Sequence, residues 1–459
     1  MTAVRDAIIA SRDRFLAECA ELLSIPSIYT DPDALELASR WLEERLGRLG
    51  TRVERLAADG APAALFAEVG AGPRRLLSYS HYDVQPADPV DQWVTPAFEP
   101  AVRDGKLYAR GAADDKGDVM ARIHAVEIYR AVYGEELPIR LKFLVEGEEE
   151  AGSPHLAALA ARSRDMLRAD GVLWESGGLD EAGRYVVYCG VKGIAYFELR
   201  VRGASHDLHS SFAAMAPNPA WRLVHALSTL KDHEDNITVD GLMEHVRPAS
   251  ISEFETIGRI PFDGAARRAT WGIDDFVNGM DDRAALVRFI TAPTCTICGL
   301  RSGFIEEGDK TVLPSEAMAK LDFRLVPDLT PELVERLLRN HLARRGYGDI
   351  EIKTFTGMYS ARSDPDAAIV LAAAGAAETV YGQPPVVYPS AGGSGPLSDV
   401  LRASGSPGAV MAGVGYHDTR IHSPNENIRL DDYWRHIEFL VELFRRFAAM
   451  PATDFRSDS

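Results

Sequence analysis

The residues best suited to chemistry in this chain are histidines and carboxylates that stand where short apolar runs end. His81 and Asp83 follow the run LLSYS, and Glu149 and Glu150 end the run IRLKFLVEGEEE. Imidazole and carboxylate groups are common ligands of divalent metals, and an uncoordinated carboxylate can act as a base. Three more candidates are Asp114 in RGAADDKGD, Glu175 in GVLWE and His422 in RIHSPNE. These five motifs predict a two-metal hydrolase site at one edge of a sheet.

The elements that must position these residues alternate between strands and helices. Two amphipathic helices come first, and the second begins near the sequence DPDALELASRWLEERL. Apolar runs then predict strands at residues 64–69, 76–79, 139–145 and 171–174, with helices at 118–133 and from about residue 155. Such alternation implies a parallel or mixed sheet that is covered on both faces.

Residues 194–358 follow a different order, which is the split βαββαβ arrangement of a separate compact unit. Its predicted elements are strands at 195–201, 294–300, 317–325 and 350–355 and helices at 219–230 and 331–345. The segment 231–282, rich in Gly, Asp and Pro, is interpreted as an irregular excursion from that unit. We therefore predict an α/β catalytic domain with a mixed, mainly parallel sheet, formed by residues 1–193 and 359–459. The inserted domain, residues 194–358, is predicted to be ferredoxin-like and to serve as a lid or dimerisation domain.

Composition limits the classes of partner. The chain has 459 residues, which suggests two or three domains, and a formal net charge of −18, which disfavours binding to nucleic acid or to anionic membranes. Charged residues interrupt the apolar stretches of MTAVRDAIIASRDRF, and no later run is long enough to span a bilayer, so we expect a cytoplasmic protein without a membrane partner. Cys295 and Cys298 form a CxxC without a second pair, which favours a structural role over a zinc site.

Taken together, the motifs resemble those of the zinc-dependent aminoacylase, carboxypeptidase G and carnosinase family of metallopeptidases. The resemblance spans nearly the whole chain and is nearest to the carnosinase and cytosolic dipeptidase branch. It implies a hydrolase with two divalent ions per subunit, zinc being the expected ion and manganese or cobalt the alternatives. The implied substrates are dipeptides or related small peptides with a free terminal carboxylate. An N-acyl amino acid deacylase or a carboxypeptidase-type amidohydrolase is the alternative.

The resemblance also assigns roles to the motif residues. It divides the metal ligands into His81, Asp114 and Glu175 for one ion and Glu150, Asp114 and His422 for the other, with Asp114 as the bridge. Glu149 is the expected general base, and Asp83 can fix the tautomer of His81 by accepting its second ring N–H. Two alternatives stay open: Asp115 replaces Asp114 if the register differs by one residue, and His417 is the second candidate for His422. Asp118 is expected to cap the helix that follows.

Substrate-binding roles follow from the same resemblance. His209, in HDLHSS, corresponds to a histidine that reaches the active site of a neighbouring subunit, which implies a homodimer formed through the inserted domain. His206 and an ordinary solvated loop are the alternatives. Arg324 is expected to bind the substrate carboxylate, unless it forms a structural ion pair with Asp322. The backbone around Gly393 and Ser394, in the loop AGGSGP, is expected to meet the same carboxylate.

Two positions depart from the dipeptidase pattern. Glu175 stands where that branch usually has aspartate, and Ala391 stands where it commonly has an acidic residue. Both departures favour the deacylase or carboxypeptidase alternative. A non-catalytic binding protein with the same fold is a more distant alternative, and the retention of the base and of every ligand type argues against it.

Overall fold

The computed structural model describes residues 1–57, 60–134 and 136–451, so residues 452–459 of the predicted catalytic segment lie outside the described part. The helices are α1 Thr2–Leu23, α2 Pro32–Gly47, α3 Lys116–Tyr133, α4 Leu156–Arg162, α5 Arg164–Leu167, α6 Pro219–Leu227, α7 Ile251–Arg259, α8 Gly264–Trp271, α9 Asp282–Thr291, α10 Pro331–Arg344, α11 Ala368–Tyr381, α12 Leu397–Ser404 and α13 Leu430–Ala449. Short 3₁₀ turns lie at Val90–Gln92, Glu149–Ala151, Ser210–Ala214, Met243–His245 and Val277–Gly279.

The strands are β1 Val53–Leu56, β2 Ala64–Val69, β3 Arg74–His81, β4 Ala101–Arg103, β5 Lys106–Tyr108, β6 Ile139–Glu146, β7 Gly171–Trp174, β8 Gly178–Leu179, β9 Tyr185–Tyr188, β10 Gly190–Val191, β11 Gly193–Arg202, β12 Leu208–His209, β13 Thr296–Ser302, β14 Val312–Leu313, β15 Glu316–Leu325, β16 Glu351–Met358, β17 Ala361–Arg362, β18 Val386–Tyr388, β19 Ala409–Met411, β20 Gly415–Tyr416 and β21 Asn427–Arg429.

The largest sheet has the strand order β1-β2-β6-β3-β7-β19-β9-β8-β20, with β18 beside β9. Its centre is parallel, because β3 pairs in parallel with β6 and β7, and β7 with β19; β1 and β2 add antiparallel strands at one edge. Helices α1, α3, α11 and α13 cover one face, and α4, α5 and α12 cover the other. The central strands are buried on both faces, and β7, with the sequence GVLW, is apolar throughout, whereas β3 and β6 also bury the polar residues Ser78, Ser80 and Lys142. The predicted mixed α/β sheet is confirmed.

A second sheet, with the order β13-β15-β11-β16, is antiparallel throughout. Helices α6 and α10 pack on one of its faces, and the residues that they bury there form a separate hydrophobic core. Buried and less buried residues alternate along β11 and β15, as expected for strands with only one covered face. The strands and helices follow the βαββαβ order that the sequence predicts for this unit.

The excursion differs from its prediction. Residues 231–282 contain two helices, α7 and α8, so the prediction of an irregular segment is wrong there. Ser250 and Glu253 form a capping box at the start of α7, and Asp263 caps α8. Helices α7 and α9 pack against the catalytic sheet, because Ile257 and Ile290 share a core with Val186 of β9 and Val386 of β18.

Two further expectations concern the cysteines and the membrane. Cys295 is buried in the core beneath the second sheet and Cys298 is exposed, and in the described residues neither belongs to a cluster that could hold a metal. Among the helices of residues 1–57, 60–134 and 136–451, none has the length and apolarity needed to cross a membrane.

A buried histidine joins three helices on one face of the catalytic sheet. His124 of α3 stacks on Phe15 of α1 with 3.7 Å between ring centroids. Its Nε2 lies 2.9 Å from Glu18, and its Nδ1 lies 2.9 Å from the hydroxyl of Tyr433 in α13. Although burial opposes ionisation of Glu18, hydrogen bonds from His124 and Arg45 hold its pKa at about 2. An ionised carboxylate can only accept, so Nε2 donates the hydrogen bond to Glu18 and Nδ1 accepts the one from Tyr433.

This histidine makes stability sensitive to acid. Burial lowers the pKa of His124 to about 4, whereas an unfolded histidine titrates near 6.5. The unfolded chain therefore binds the extra proton first, and we expect stability to fall as the pH drops from 6.5 towards 4. The loss attributable to His124 is roughly 2–3 kcal/mol between pH 6.5 and pH 4.5. Denaturant unfolding of the unchanged protein and of His124→Gln at several pH values across this range measures this loss. If the free energies of unfolding of the two proteins fell by the same amount, the assignment to His124 would be contradicted.

Candidate metal centre

The predicted ligands meet at one edge of the large sheet. His81 ends β3, Glu175 directly follows β7, and the turn that contains Glu149 and Glu150 begins soon after the end of β6. These three strands are adjacent and parallel, so their carboxyl ends lie together. In open α/β sheets this edge is where ligands commonly bind.

Asp114 lies between the two predicted groups of ligands. Its Oδ1 is 3.0 Å from Nε2 of His81, and its Oδ2 is 3.0 Å from Nε2 of His422. His81 is also 3.7 Å from an oxygen of Glu175, and His422 is 3.1 Å from an oxygen of Glu150. One carboxylate therefore faces both groups, which is the arrangement that a bridging ligand requires.

Asp115, the alternative bridge, points into the first group. An oxygen of Asp115 lies within 4.8 Å of ligand atoms of His81 and Glu175, all three residues being buried. The same carboxylate accepts a hydrogen bond from the backbone N–H of His81 at 3.2 Å. Asp115 makes no corresponding contact with His422 among the described residues. The geometry therefore favours Asp114 as the bridge and gives Asp115 a supporting position beside the first group.

Asp83 connects the two halves of the site. Its Oδ1 lies 3.3 Å from Nδ1 of His81, and its Oδ2 accepts a hydrogen bond of 2.9 Å from the backbone N–H of Glu150. The backbone oxygen of Asp83 is also 3.1 Å from the same imidazole nitrogen. These contacts orient the ring so that Nε2 faces Asp114 and Glu175. Gln85 adds a hydrogen bond of 2.9 Å to the carboxylate of Glu150.

Glu426 is a supporting residue that the sequence reasoning missed. It is fully buried and accepts backbone hydrogen bonds from Gly111, Ala113 and Asp114 at 2.9 to 3.1 Å. Arg110 donates to it at 2.6 Å and supplies the compensating charge. Glu426 therefore holds the loop that presents Asp114. It stands in the same HSPNE motif as His422, and that motif was the available signal.

Asp118 does not cap α3 as expected. The helix begins at Lys116, and Asp118 lies inside its first turn. Its carboxylate instead accepts hydrogen bonds from the backbone N–H groups of Ser176 at 3.1 Å and Val414 at 2.8 Å. Ser176 directly follows Glu175, so Asp118 anchors the segment that carries this ligand. The capping prediction is wrong because a tertiary contact takes the side chain.

The site has more acidic groups than its histidines can neutralise. Glu175 Oε2 and Asp83 Oδ1 are buried, and each lies near a ring nitrogen of His81, at 3.7 and 3.3 Å, without making a hydrogen bond among the described residues. Burial, followed by repulsion from Glu149, raises the pKa of Glu175 well above its ordinary value. Hydrogen bonds to Asp114 and Glu150 raise the pKa of His422 to about 10. Buried carboxylates with unused oxygens need a compensating cation, so these residues fit divalent metal ions.

Glu149 differs from its neighbours. Among the described residues, Glu149 belongs to neither of the two groups of candidate ligands. Its carboxylate accepts no hydrogen bond from the described residues, whereas the next residue, Glu150, is hydrogen-bonded to Asp83 through its backbone N–H. Burial raises the pKa of Glu149 to about 7, with His81 acting in the opposite direction and Asp114 reinforcing the rise. An uncoordinated carboxylate beside the centre can accept a proton and return it.

The predicted substrate-binding residues divide into two places. Arg324 Nη1 donates a hydrogen bond of 2.9 Å to Ser394 Oγ, and Arg324 also pairs with Asp322 at 3.3 Å. Arg324 therefore lies beside Ser394, as expected for the carboxylate site, and also forms the alternative ion pair with Asp322. Gly393 accepts a hydrogen bond from the backbone N–H of Lys192 at 2.9 Å, and a side chain at position 393 would meet open space. The loop backbone is thus accessible beside the guanidinium.

The remaining candidate histidines lie apart from the metal groups. His209 is exposed, and its ring contacts Ser211 at 2.8 Å and Thr311 at 3.2 Å. His206 is also exposed and contacts Ser205 at 3.0 Å. His417 packs edge-on against Tyr416 and is in neither group of candidate ligands in the described residues. The structure thus places His422, and not His417, with Asp114.

The chain is similar to known peptidases over most of its length. The chain is 30% identical to the Beta-Ala-His dipeptidase of Rattus norvegicus over 422 residues, covering 86% of this chain and 83% of that protein. It is 29% identical to the Cys-Gly metallodipeptidase dug1 of Schizosaccharomyces pombe, covering 97% of this chain and 98% of that one.

Solved structures extend the comparison. The M20 family metallo-carboxypeptidase Sso-CP2 of Sulfolobus solfataricus superposes with a TM-score of 0.88 and 33% identity, covering 95% of this chain and 99% of the other. Human carnosine dipeptidase 1 gives a TM-score of 0.77 and 28% identity, covering 98% and 100%. Residues 77–446 match the sequence model described as Peptidase family M20/M25/M40. The resemblance predicted from the motifs is therefore confirmed, and the chain belongs to this peptidase family.

Proposed function

We propose that this protein is a two-metal dipeptidase that hydrolyses the amide bond of dipeptides or related small peptides with a free terminal carboxylate. The observation that carries the proposal is the position of Asp114, whose two oxygens each lie 3.0 Å from a histidine of a different ligand group. The names of the curated relatives, Beta-Ala-His dipeptidase and Cys-Gly metallodipeptidase, support the dipeptide as substrate.

Zinc is the proposed metal, with manganese and cobalt as the alternatives. Each group offers one imidazole and carboxylate oxygens, a donor set that suits zinc and admits the other two ions. We assign His81, Asp114 and Glu175 to one ion and Asp114, Glu150 and His422 to the other. When bound, such ions polarise a carbonyl and make water more acidic.

The protein's own groups then divide the work. Glu149 takes a proton from the attacking water and returns it to the leaving amine. Asp83 keeps His81 in the tautomer whose Nε2 faces the ligand groups, since its carboxylate and backbone oxygens both lie near Nδ1. Glu426 and Asp118 hold the loops that carry Asp114 and Glu175.

The substrate carboxylate is assigned to Arg324 and the loop around Gly393 and Ser394. Guanidinium binds carboxylate through two parallel hydrogen bonds, and Ser394 Oγ already accepts one hydrogen bond from Arg324. Removing this cation should weaken binding only of substrates that have the carboxylate.

We therefore predict that Arg324→Met lowers kcat/KM for Ala-Ala by about 10- to 100-fold, the loss expected for a charge-assisted hydrogen bond. Hydrolysis of the uncharged amide of Ala-Ala should change by less than about threefold, since it lacks the anion that Arg324 pairs with. Steady-state kinetics of the two substrates with both proteins makes this test. An equal loss of kcat/KM for the two substrates would contradict the proposed contact between Arg324 and the substrate carboxylate.

A carboxypeptidase-type amidohydrolase or N-acyl amino acid deacylase is the second candidate. Glu175 and Ala391 favour it, as does the likeness to a protein described as a metallo-carboxypeptidase at 33% identity. Assays of Ala-Ala, N-acetylalanine and longer peptides at one enzyme concentration distinguish these functions. The dipeptidase proposal fails if Ala-Ala is not cleaved while one of the other classes is.

We further propose that the inserted unit, residues 194–358, serves as a lid and dimerisation domain. His209 supports this proposal, because its exposed ring contacts only neighbouring polar groups in the described part of its own chain. In a dimer it would reach the partner's site and assist the developing negative charge on the scissile carbonyl oxygen. Sedimentation of the purified protein tests the dimer, and a monomer would overturn this part of the proposal.

A further inference from the structure

A cavity of about 600 Å³ lies at the end of the large sheet, between its last strands and helix α8. Residues of β8, β9, β18 and β20 form one side, and residues of α8 form the other. Its volume is within the range of small-molecule sites, roughly 300–1,000 Å³. None of the functions assigned above uses this cavity.

The cavity begins beside the metal centre. Gly177 and Ile421 line it, and they are respectively two residues after Glu175 and one residue before His422. Two residues of extended chain span at most about 7 Å, so the backbone of the lining begins within that distance of the backbone of Glu175 and of His422, although neither side chain lines the cavity. Gly177 has a positive φ of +113°, a conformation that suits glycine and that turns the chain soon after Glu175.

The cavity lies away from the proposed carboxylate site. Within the described residues, its lining includes neither Arg324 nor Ser394. If the substrate carboxylate is at Arg324 and the scissile carbonyl at the metal centre, the amino-terminal residue must extend beyond the centre. The cavity adjoins the centre and provides space there.

Aromatic rings line the cavity together with the charged side chains of Asp180, Glu181, Arg184, Asp263 and Arg267. Tyr188 and Tyr388, on adjacent parallel strands, lie 5.1 Å apart between ring centroids on one wall, and Phe262 lines the cavity as well. Arg267 of α8 also lines it, and its guanidinium lies 5.6 Å from the centroid of the Trp271 ring. Aromatic rings pack favourably with one another, and a guanidinium binds the face of a ring.

We propose that this cavity binds the side chain of the substrate's amino-terminal residue and selects aromatic side chains there. This inference rests on the proposed dipeptidase function and specifies its substrate class. The tyrosine pair and Phe262 supply ring contacts, and Arg267 can lie over the ring of the bound side chain. Dipeptides with a small amino-terminal side chain leave the cavity unused.

A substitution that fills the cavity tests the proposal. Ala266 is an exposed residue of α8 that lines the cavity, and Ala265 is an exposed neighbour on the same helix that does not. The variants Ala266→Trp and Ala265→Trp therefore add the same side chain inside and outside it. Kinetics with Phe-Ala and Ala-Ala, together with thermal midpoints that exclude misfolding, compare the two variants with the unchanged protein.

We expect the unchanged protein to prefer Phe-Ala to Ala-Ala in kcat/KM by about tenfold or more. Ala266→Trp should lower kcat/KM for Phe-Ala by about tenfold and leave Ala-Ala within about twofold, whereas Ala265→Trp should leave both within about twofold. Equal effects of Ala266→Trp on the two substrates, or none on either, would overturn the inference while the dipeptidase function stands. Failure of the unchanged protein to cleave both dipeptides would overturn the proposed function and this inference with it.

Discussion

The variant Glu149→Gln is expected to lose nearly all hydrolytic activity while it still binds close to two divalent ions per chain. Glutamine keeps the shape of the side chain but cannot accept the proton from water, and positioned acid–base groups contribute about 10²–10⁴-fold to rate. Because Glu149 belongs to neither group of candidate ligands in the described residues, its amide should leave metal binding nearly unchanged. Turnover of Ala-Ala and metal analysis of the same purified sample measure both quantities.

Glu148→Gln is the matched control for this variant. Glu148 is the preceding residue in the same run of glutamates, and its carboxylate accepts hydrogen bonds from the backbone N–H and ring of His155 at 2.9 Å. A glutamine oxygen can still accept, so activity should stay within a few-fold of the unchanged protein. A Glu149→Gln protein that remained active, or that lost its metals, would contradict the assignment of Glu149 as the base.

Asp114→Asn is expected to have the second large effect, on metal content as well as on rate. The two oxygens of Asp114 face both ligand groups, and loss of its charge leaves two cations without the anion that offsets their repulsion. We expect at most about one ion per chain and a loss of activity of about 10³-fold or more, because both ions are needed to bind and activate the reactants. Metal analysis after gel filtration and kinetics at saturating metal measure the two effects.

Asp115→Asn tests the register of the acidic pair. Asp115 accepts a backbone hydrogen bond from His81 and lies beside the first group alone, so its amide can still accept that bond. We expect close to two ions per chain and a smaller loss of activity than for Asp114→Asn. If Asp115→Asn lost both ions and Asp114→Asn kept them, the bridging role would move to Asp115.

Sequence patterns were most informative where a residue's role is local. The central strands were predictable because strands buried on both faces contain short apolar runs, and His81 and Glu175 follow such runs. The helices α7 and α8 were missed because each is short and their segment is rich in turn-forming residues. The Ser250 and Glu253 spacing was nevertheless a capping signal that could have identified α7.

Supporting residues were harder to predict because their partners are distant in sequence. Glu426 holds backbone groups at positions 111–114, and Asp118 holds those of Ser176 and Val414. Nothing in the local pattern of an acidic residue indicates which remote N–H group it will meet. Asp118 therefore looked like a helix cap, although its carboxylate is used in a tertiary contact.

The amino-acid sequence by itself determined the kinds of group available and the edge of the sheet where they gather. Side-chain chemistry and the apolar periodicity of strands are local properties, and the motif order was enough to indicate the family. The tertiary structure alone decided that Asp114 faces both histidines, that α7 and α9 pack on the catalytic sheet, and that a cavity lies beyond Glu175. These features depend on distances between remote segments, which are set when the whole core packs and not by the neighbours of any one residue.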